Sequence, residues 1–428
     1  MRCDGWVATA VVWDTLRQLG WPRRVTFEYG PAQTIEWHRN QRGLVASLEG
    51  GEGLGRRAWP PEGSTRWSVP PDDKKGGVLV SADEPHVDVV SVYGTVNAGV
   101  RARAMEWLER SQMQGRLTSY FDLNRAGASF FLRHPAKALA AERRIARLAR
   151  TRPRTLLLSR EASPLSNGRS EDRLLSAAQH GVYDIDDALH QVTQRFPLDP
   201  LLSKRMKADR AARCADVVIA GNEYLAEWAS GANKDVRIIP TCVDPSAYSR
   251  KSSFELGPTP QIVWLGTPSG EPYLVDIAPA LLALRERVGA RLTIIGSGSA
   301  SLGSLDVMIE RVPWSLEYVR SRLRSFDVGI MPLRDGDYER GKCAYKLLEY
   351  GAAALPSVAS PVGANAPILQ KAAAPAPRTV DDWYQALAGL LTAPATERAQ
   401  IGQRLHEVVA AGYSFAEHES VWLSAVMP

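Results

Sequence analysis

Short apolar runs of strand length recur at helix-length intervals from residue 87 onward, and this rhythm narrows the fold more than any other feature of the chain. A first series reads VDVVSVY at 87–93, TLLLS at 155–159, 181–184, DVVIA at 216–220 and VRIIP at 236–240. A second reads IVWL at 262–265, LTII at 292–295, DVGIMPL at 327–333 and 357–359. Runs that are apolar on both faces, alternating with helical segments, belong to parallel sheets covered by helices on both sides. Between the two series, TCVDPSAYSRKSSFELGPTP at 241–260 is rich in Ser and Pro and reads as an inter-domain connection. The expectation is an α/β protein of two Rossmann-like domains, over 87–250 and 251–408, with parallel sheets facing across a cleft.

A chain of 428 residues, 45% of them apolar, can bury two such cores. Residues 1–86 have a different texture: six of the twelve tryptophans lie there, and 50–77 is dominated by Gly, Pro, Arg and acidic residues, as in a linker. This N-terminal extension reads either as a small accessory region or as upstream sequence from a misassigned start. Four cysteines, Cys3, Cys214, Cys242 and Cys343, show no CxxC spacing, so neither a zinc site nor a disulfide framework is expected. No apolar run spans a bilayer, and MRCDGWVATAVVWD lacks the basic and long apolar parts of a leader, which leads to a cytoplasmic expectation. The net charge of +5 fits an anionic small molecule or a polyanion without selecting between them. Arg143, Arg144, Arg147 and Arg150, in the helical segment 136–150, offer a face for peripheral membrane contact or simply a solvated basic side. No basic run with interleaved aromatics marks a nucleic-acid binder.

The strongest site candidate follows the run at 327–333. Gly336 and Gly341 punctuate a loop, and 342–353 has helical composition. On one helix Lys342, Lys346 and Glu349 would stand at i, i+4 and i+7 and share a face. Two lysines four apart repel unless an anion sits near them. With helix N–H donors beginning at Gly341, the face suits a diphosphate, while the Glu349 carboxylate suits vicinal hydroxyls such as those of a ribose. A solvated Lys346–Glu349 pair is the plainer alternative.

Other loops add candidates. Gly266 and Thr267 open a small-residue turn after IVWL, where backbone N–H groups can approach a pyrophosphate. Trp314 either packs against a nucleobase or fills the core. In the first half, Gly94 and Asn97 belong to GTVNAG, a close-approach loop ahead of Arg101 and Arg103. Arg160 and Glu161 at the end of one strand form either an ion pair or the polar lining of an acceptor pocket. The acids of DIDDAL at 184–189 raise the question of a metal, but their strand alternation argues against one, and Asp187 reads as a helix cap or a site acid.

Together RGKCAYKLLEYGAAALPSVASPVGAN at 340–365, ADVVIAGNEYLAEWA at 215–229, IPTCVD at 239–244, IVWLGTPSGEPYL at 262–274 and HGVYDIDDALH at 180–190 resemble family-4 glycosyltransferases of the GT-B fold, over about residues 87–428. YSFAEHESVWLSAV near the end resembles the terminal helix, here 409–428, that crosses back to the N-terminal domain in such enzymes. The resemblance implies retaining, metal-independent transfer of a sugar from a nucleotide-diphosphate sugar, which is a substrate and not a cofactor, to a small-molecule or glycan acceptor held by the N-terminal domain. Glu349 would hold the donor ribose. Lys342, Lys346 and the backbone at Gly266 and Thr267 would neutralise the leaving diphosphate. Lys342, Glu349, Arg160, Glu161 and Asp187 are the catalytic candidates. Two departures stand out: Gly341 occupies a position where many members carry a glutamate, and Thr267, Pro268 and Ser269 replace an arginine common after the first strand of the second domain. A nucleotide-sugar epimerase or hydrolase of the same fold, with acids from DIDDAL or Glu161, and a non-enzymatic polyanion or membrane-surface binder are the alternative readings.

Overall fold

The computed structural model describes residues 86–427 except 96, 122–127 and 193–201, so the N-terminal extension up to 85 lies outside the described residues. Two all-parallel sheets organise the chain. The first has the order β2-β1-β3-β4-β5-β6, built from β1 (His86–Tyr93), β2 (Gln114–Phe121), β3 (Thr155–Ser159), β4 (His180–Ile185), β5 (Val217–Ala220) and β6 (Val236–Ile238). The second has the order β11-β10-β7-β8-β9, built from β7 (Gln261–Gly266), β8 (Arg291–Gly296), β9 (Ile309–Pro313), β10 (Val328–Met331) and β11 (Ser357–Ala359). Helices cover both faces, which is why Leu156, Leu157 and Leu158 in the centre of the first sheet are all inaccessible although they point alternately to opposite sides.

Register places the loops that matter. Ser91 pairs with Ser159 and Ser159 with Asp184, so the carboxyl ends of β1, β3 and β4 finish at one rim. In the second sheet Gly266 aligns with Gly296, and Met331 with Ala359. Crevices at the carboxyl ends of parallel strands are where such sheets bind ligands.

β2 and β9 have no counterpart in the reading of apolar runs. Both are edge strands with a single neighbour, and exposed residues, Arg116 and Glu310 among them, break the apolar pattern on which that reading depends.

The helix after β1 runs from 98 to 110 and changes pitch: Ala98–Val100 is α-helical, Arg101–Met105 forms a π turn, and Glu106–Arg110 is α-helical again. Such a π segment often marks a functional position. The chain passes between the two cores at Cys242 and Val243, neighbours in sequence that pack into different clusters. It passes back at 413–415, where the Val243 N–H donates to the Tyr413 carbonyl (2.9 Å) and Val243 bridges to Ser414. The last helix, Phe415–Val426, then lies on the first core, with Trp422 stacked on Trp107 at 5.2 Å and Phe415 edge-on to the same ring at 4.8 Å. No described helix is long and apolar enough to cross a membrane.

Candidate nucleotide-sugar site

The rim of the first sheet is built around one arginine. Arg160 follows β3 with φ +64°, a left-handed conformation that a non-glycine residue holds only when its surroundings enforce it. Its N–H donates to the Asp184 carbonyl at 2.9 Å, and its guanidinium forks onto Asp186 and reaches Asp187 at 2.9 Å. Next to this group the Asn97 N–H donates to the Gly94 carbonyl (3.0 Å), and the Asn97 side chain caps the following helix by accepting from Gly99 and Val100. A Cβ at Gly99 would press on Asp186 and Arg160, so the absence of a side chain is what lets the loop approach.

Two expectations for this rim, an Arg160–Glu161 pair and a helix cap at Asp187, are corrected. Arg160 and Glu161 do not pair with each other; Glu161 turns away into a buried ion pair with Lys207 (2.9 Å), joined by Lys204. Lys207 completes its donor set on the Ser163 and Pro164 carbonyls, and despite burial its ammonium holds the Glu161 carboxyl below the usual range. Asp187 caps no helix, since the short 3-10 turn Leu189–Gln191 has Ala188 at its N-cap. Asp184 is not offered to a metal: buried Arg103 grips both of its oxygens at 2.7–3.0 Å. Among the described residues no three His, Cys, Asp or Glu side chains form a metal-holding group.

In the second domain the helix begins at Tyr345, three residues later than the composition predicts. Gly341 ends a short helix, Asp337–Arg340, and Ala344 takes φ +56°, which interrupts helical hydrogen bonding between the two. Lys342 therefore stands on a loop and shares no helical face with Lys346 and Glu349. Burial, and after it the charge of Lys342, pushes the Lys346 ammonium down to about 8. Lys346 also lies over the Trp264 ring at 5.4 Å. A Cβ at Gly266 would run into that ring, so the glycine expected to approach a phosphate also makes room for Trp264. Beside it the Thr267 and Ser269 hydroxyls bond at 2.9 Å and are exposed.

Glu349 is buried, 3% exposed, and accepts a hydrogen bond from the Tyr248 hydroxyl at 3.1 Å. Burial pushes its carboxyl up to about 7, although Arg101 and Lys346 draw it down. Arg101 arrives from the first domain: it donates to the Tyr345 hydroxyl at 3.4 Å, lies over Trp314 at 4.8 Å, and approaches Glu106 at 3.4 Å. Trp314 is thus half-buried and faces an arginine.

The two rims touch. Lys342 Nζ lies 3.7 Å from Asp187, and the buried Cys343 thiol donates to the Asp186 carbonyl at 3.2 Å. A Cβ at Gly341 would collide with Ala188 across the same seam, so no glutamate fits there in this arrangement. The structure gathers Gly94, Asn97, Arg160, Asp187, Lys342, Lys346, Glu349, Trp314, Gly266 and Thr267 along the carboxyl ends of the two sheets; Glu161 stays apart. Reading the sequence missed Asn222, Tyr248, Cys343 and Tyr345, each of which enters through a partner more than 80 positions away, a relation with no local signature.

Residues 259–393 match the family model described as glycosyl transferases group 1. No curated protein matches the chain. Among solved structures it resembles a mutant of S. aureus TarM in complex with fondaparinux, alpha-GlcNAc-glycerol and UDP (12% identity, TM-score 0.50, 66% of this chain and 58% of that one). It also resembles Anabaena Alr3699/HepE in complex with UDP-glucose (11%, 0.56, 79% and 99%) and a trehalose-6-phosphate structure from E. coli bound with UDP-2-fluoro glucose (14%, 0.53, 80% and 98%). The chain spans less than two thirds of the length of TarM. The class this defines is one of architecture: two parallel-sheet Rossmann-like domains in the GT-B arrangement.

Proposed function

We propose that this protein is a retaining glycosyltransferase that moves a sugar from a nucleoside-diphosphate sugar to an acceptor hydroxyl without a metal, in cytoplasmic biosynthesis. The observation that carries the reading is the placement of Lys342 on the loop after β10, with Lys346 and Glu349 on the helix Tyr345–Ala352, in the domain that matches the group 1 model. A diphosphate there would be met by both ammonium groups, and their charge can stabilise it as it departs. Glu349, presented from a buried helix, can accept from two ribose hydroxyls once Tyr248 and Arg101 yield. UDP-sugars in two of the similar structures support a nucleotide-sugar donor. The acids on which an epimerase or hydrolase would depend, Glu161, Asp184 and Asp186, are committed to Lys207, Arg103 and Arg160.

Peripheral membrane contact belongs to the same proposal. Arg143, Arg144, Arg147 and Arg150 are all exposed on the helix Pro135–Thr151, next to Leu139, which is 50% exposed. Such a face fits an anionic surface carrying the acceptor.

A thermal-shift panel of uridine, guanosine, thymidine and adenosine diphosphates tests the central reading. At least one should raise Tm by several degrees at a hundredfold excess over its Kd, corresponding to about 2.7 kcal/mol, and Lys342→Ala should abolish most of the shift. A wild-type protein that none of them stabilises would refute it.

A further inference from the structure

Asn222 lies in the first domain, at the N-cap of the helix Glu223–Ser230, and is buried. Its Oδ1 accepts from the Leu225 N–H at 2.9 Å, an ordinary cap. Its Nδ2 does something a cap does not require: it donates to the carbonyls of Arg340 (3.2 Å) and Lys342 (3.1 Å) in the other domain. Only an amide can do both, because it carries an acceptor and two donor hydrogens on one planar group. Serine, threonine and aspartate would cap the helix as well, yet none supplies two hydrogens.

The neighbouring residues show the loop being held from the first domain. A Cβ at Gly221 would collide with the Cys343 sulfur, so Gly221 lets the loop seat against β5, and the Cys343 thiol donates to the Asp186 carbonyl at 3.2 Å. Gly363, at φ +53°, is pressed against the Arg340 carbonyl from the second-domain side. The segment between the two clamped carbonyls is Gly341–Lys342, which the Lys342 N–H ties back to the Glu339 carbonyl (3.0 Å) and which lies outside the helix that begins at Tyr345. We propose that Asn222 is a positioning residue that fixes the backbone on either side of Gly341 and so sets the direction of Lys342 toward the donor diphosphate. This rests on the transferase reading and deepens it: the lysine is oriented through an amide of the opposite domain.

Asn222→Asp separates the two roles, since the carboxylate still caps Leu225 but has no hydrogen to donate and repels both carbonyls. Hydrogen exchange over 338–346, read without ligand, should rise several-fold in Asn222→Asp while the helix Glu223–Ser230 stays protected. The Kd for the stabilising nucleoside diphosphate and kcat/KM should each worsen about tenfold, and Asn222→Asp/Lys342→Ala should be no worse than Lys342→Ala alone within about twofold. Asn222→Ser, read in the same way, serves if the Asp variant does not fold. Unchanged exchange at 338–346, or losses that multiply in the double variant, would overturn the proposal. If the wild type binds no nucleoside diphosphate, the transferase reading falls, and the exchange data then decide the clamp alone.

Discussion

Glu349 and Lys346 sit one turn apart with their ordinary charges at risk, one pushed up to about 7 and the other down to about 8, both chiefly by burial. Between 4.5 and about 7 the folded state keeps a proton on Glu349 that the unfolded chain has lost, so stability falls as pH rises through that window. Between about 8 and 10.5 the unfolded chain holds a proton that folded Lys346 has lost, so stability rises with pH there. Ionised Glu349 and protonated Lys346 coexist best between about 7 and about 8. A kcat/KM profile, which reports the free enzyme, should rise through the first value and fall through the second. Glu349→Gln should flatten the rising limb and also remove the loss of stability between 4.5 and about 7 seen in denaturant unfolding. The three charged residues were legible from composition and spacing. The helical face expected to hold all three does not form, because the left-handed turn at Ala344 puts Lys342 on a loop, and that turn depends on how Cys343 and Gly341 seat against Asp186 and Ala188.

The same division holds among elements. Central strands announce themselves because helices bury both of their faces, whereas β2 and β9, each at an edge, carry the mixed residues of a surface. The terminal helix and its return to the first domain are expected from the resemblance of YSFAEHESVWLSAV, whereas its seat on the first core is a matter of three aromatic rings. Trp422 is 1% exposed and stacked within 6° of parallel on Trp107. Trp422→Ala should cost about 3–5 kcal/mol in denaturant unfolding, the range for truncating a buried aromatic. Trp422→Phe, which retains a ring and leaves no unpaired indole N–H in a site that offers the Trp422 nitrogen no acceptor, should cost clearly less. His180, which bonds the Ala425 carbonyl at 2.8 Å, ties the far end of the same helix to β4.

At the scale of the whole molecule, charge is unevenly spread. Arg143, Arg147 and Arg150 form no ion pair among the described residues, and Glu142 within the same helix is committed to Ser163. Co-flotation with vesicles containing anionic lipid, absent with neutral vesicles and weakened by salt, is the expected behaviour. Arg143→Glu/Arg147→Glu/Arg150→Glu should lose it while keeping the nucleoside-diphosphate thermal shift; equal binding to neutral vesicles would count against this face. What the sequence alone determined was two series of parallel strands, a connection near 241–260 and a charged loop-helix after β10, since each depends on residues close together in the chain. The tertiary structure alone decided which charges meet: Asp187 with Lys342, Arg101 with Tyr345, and Asn222 with the carbonyls on either side of Gly341. These partners stand 118 to 244 positions apart, and only the packing of one domain's strand-end loops against the other's brings them within reach.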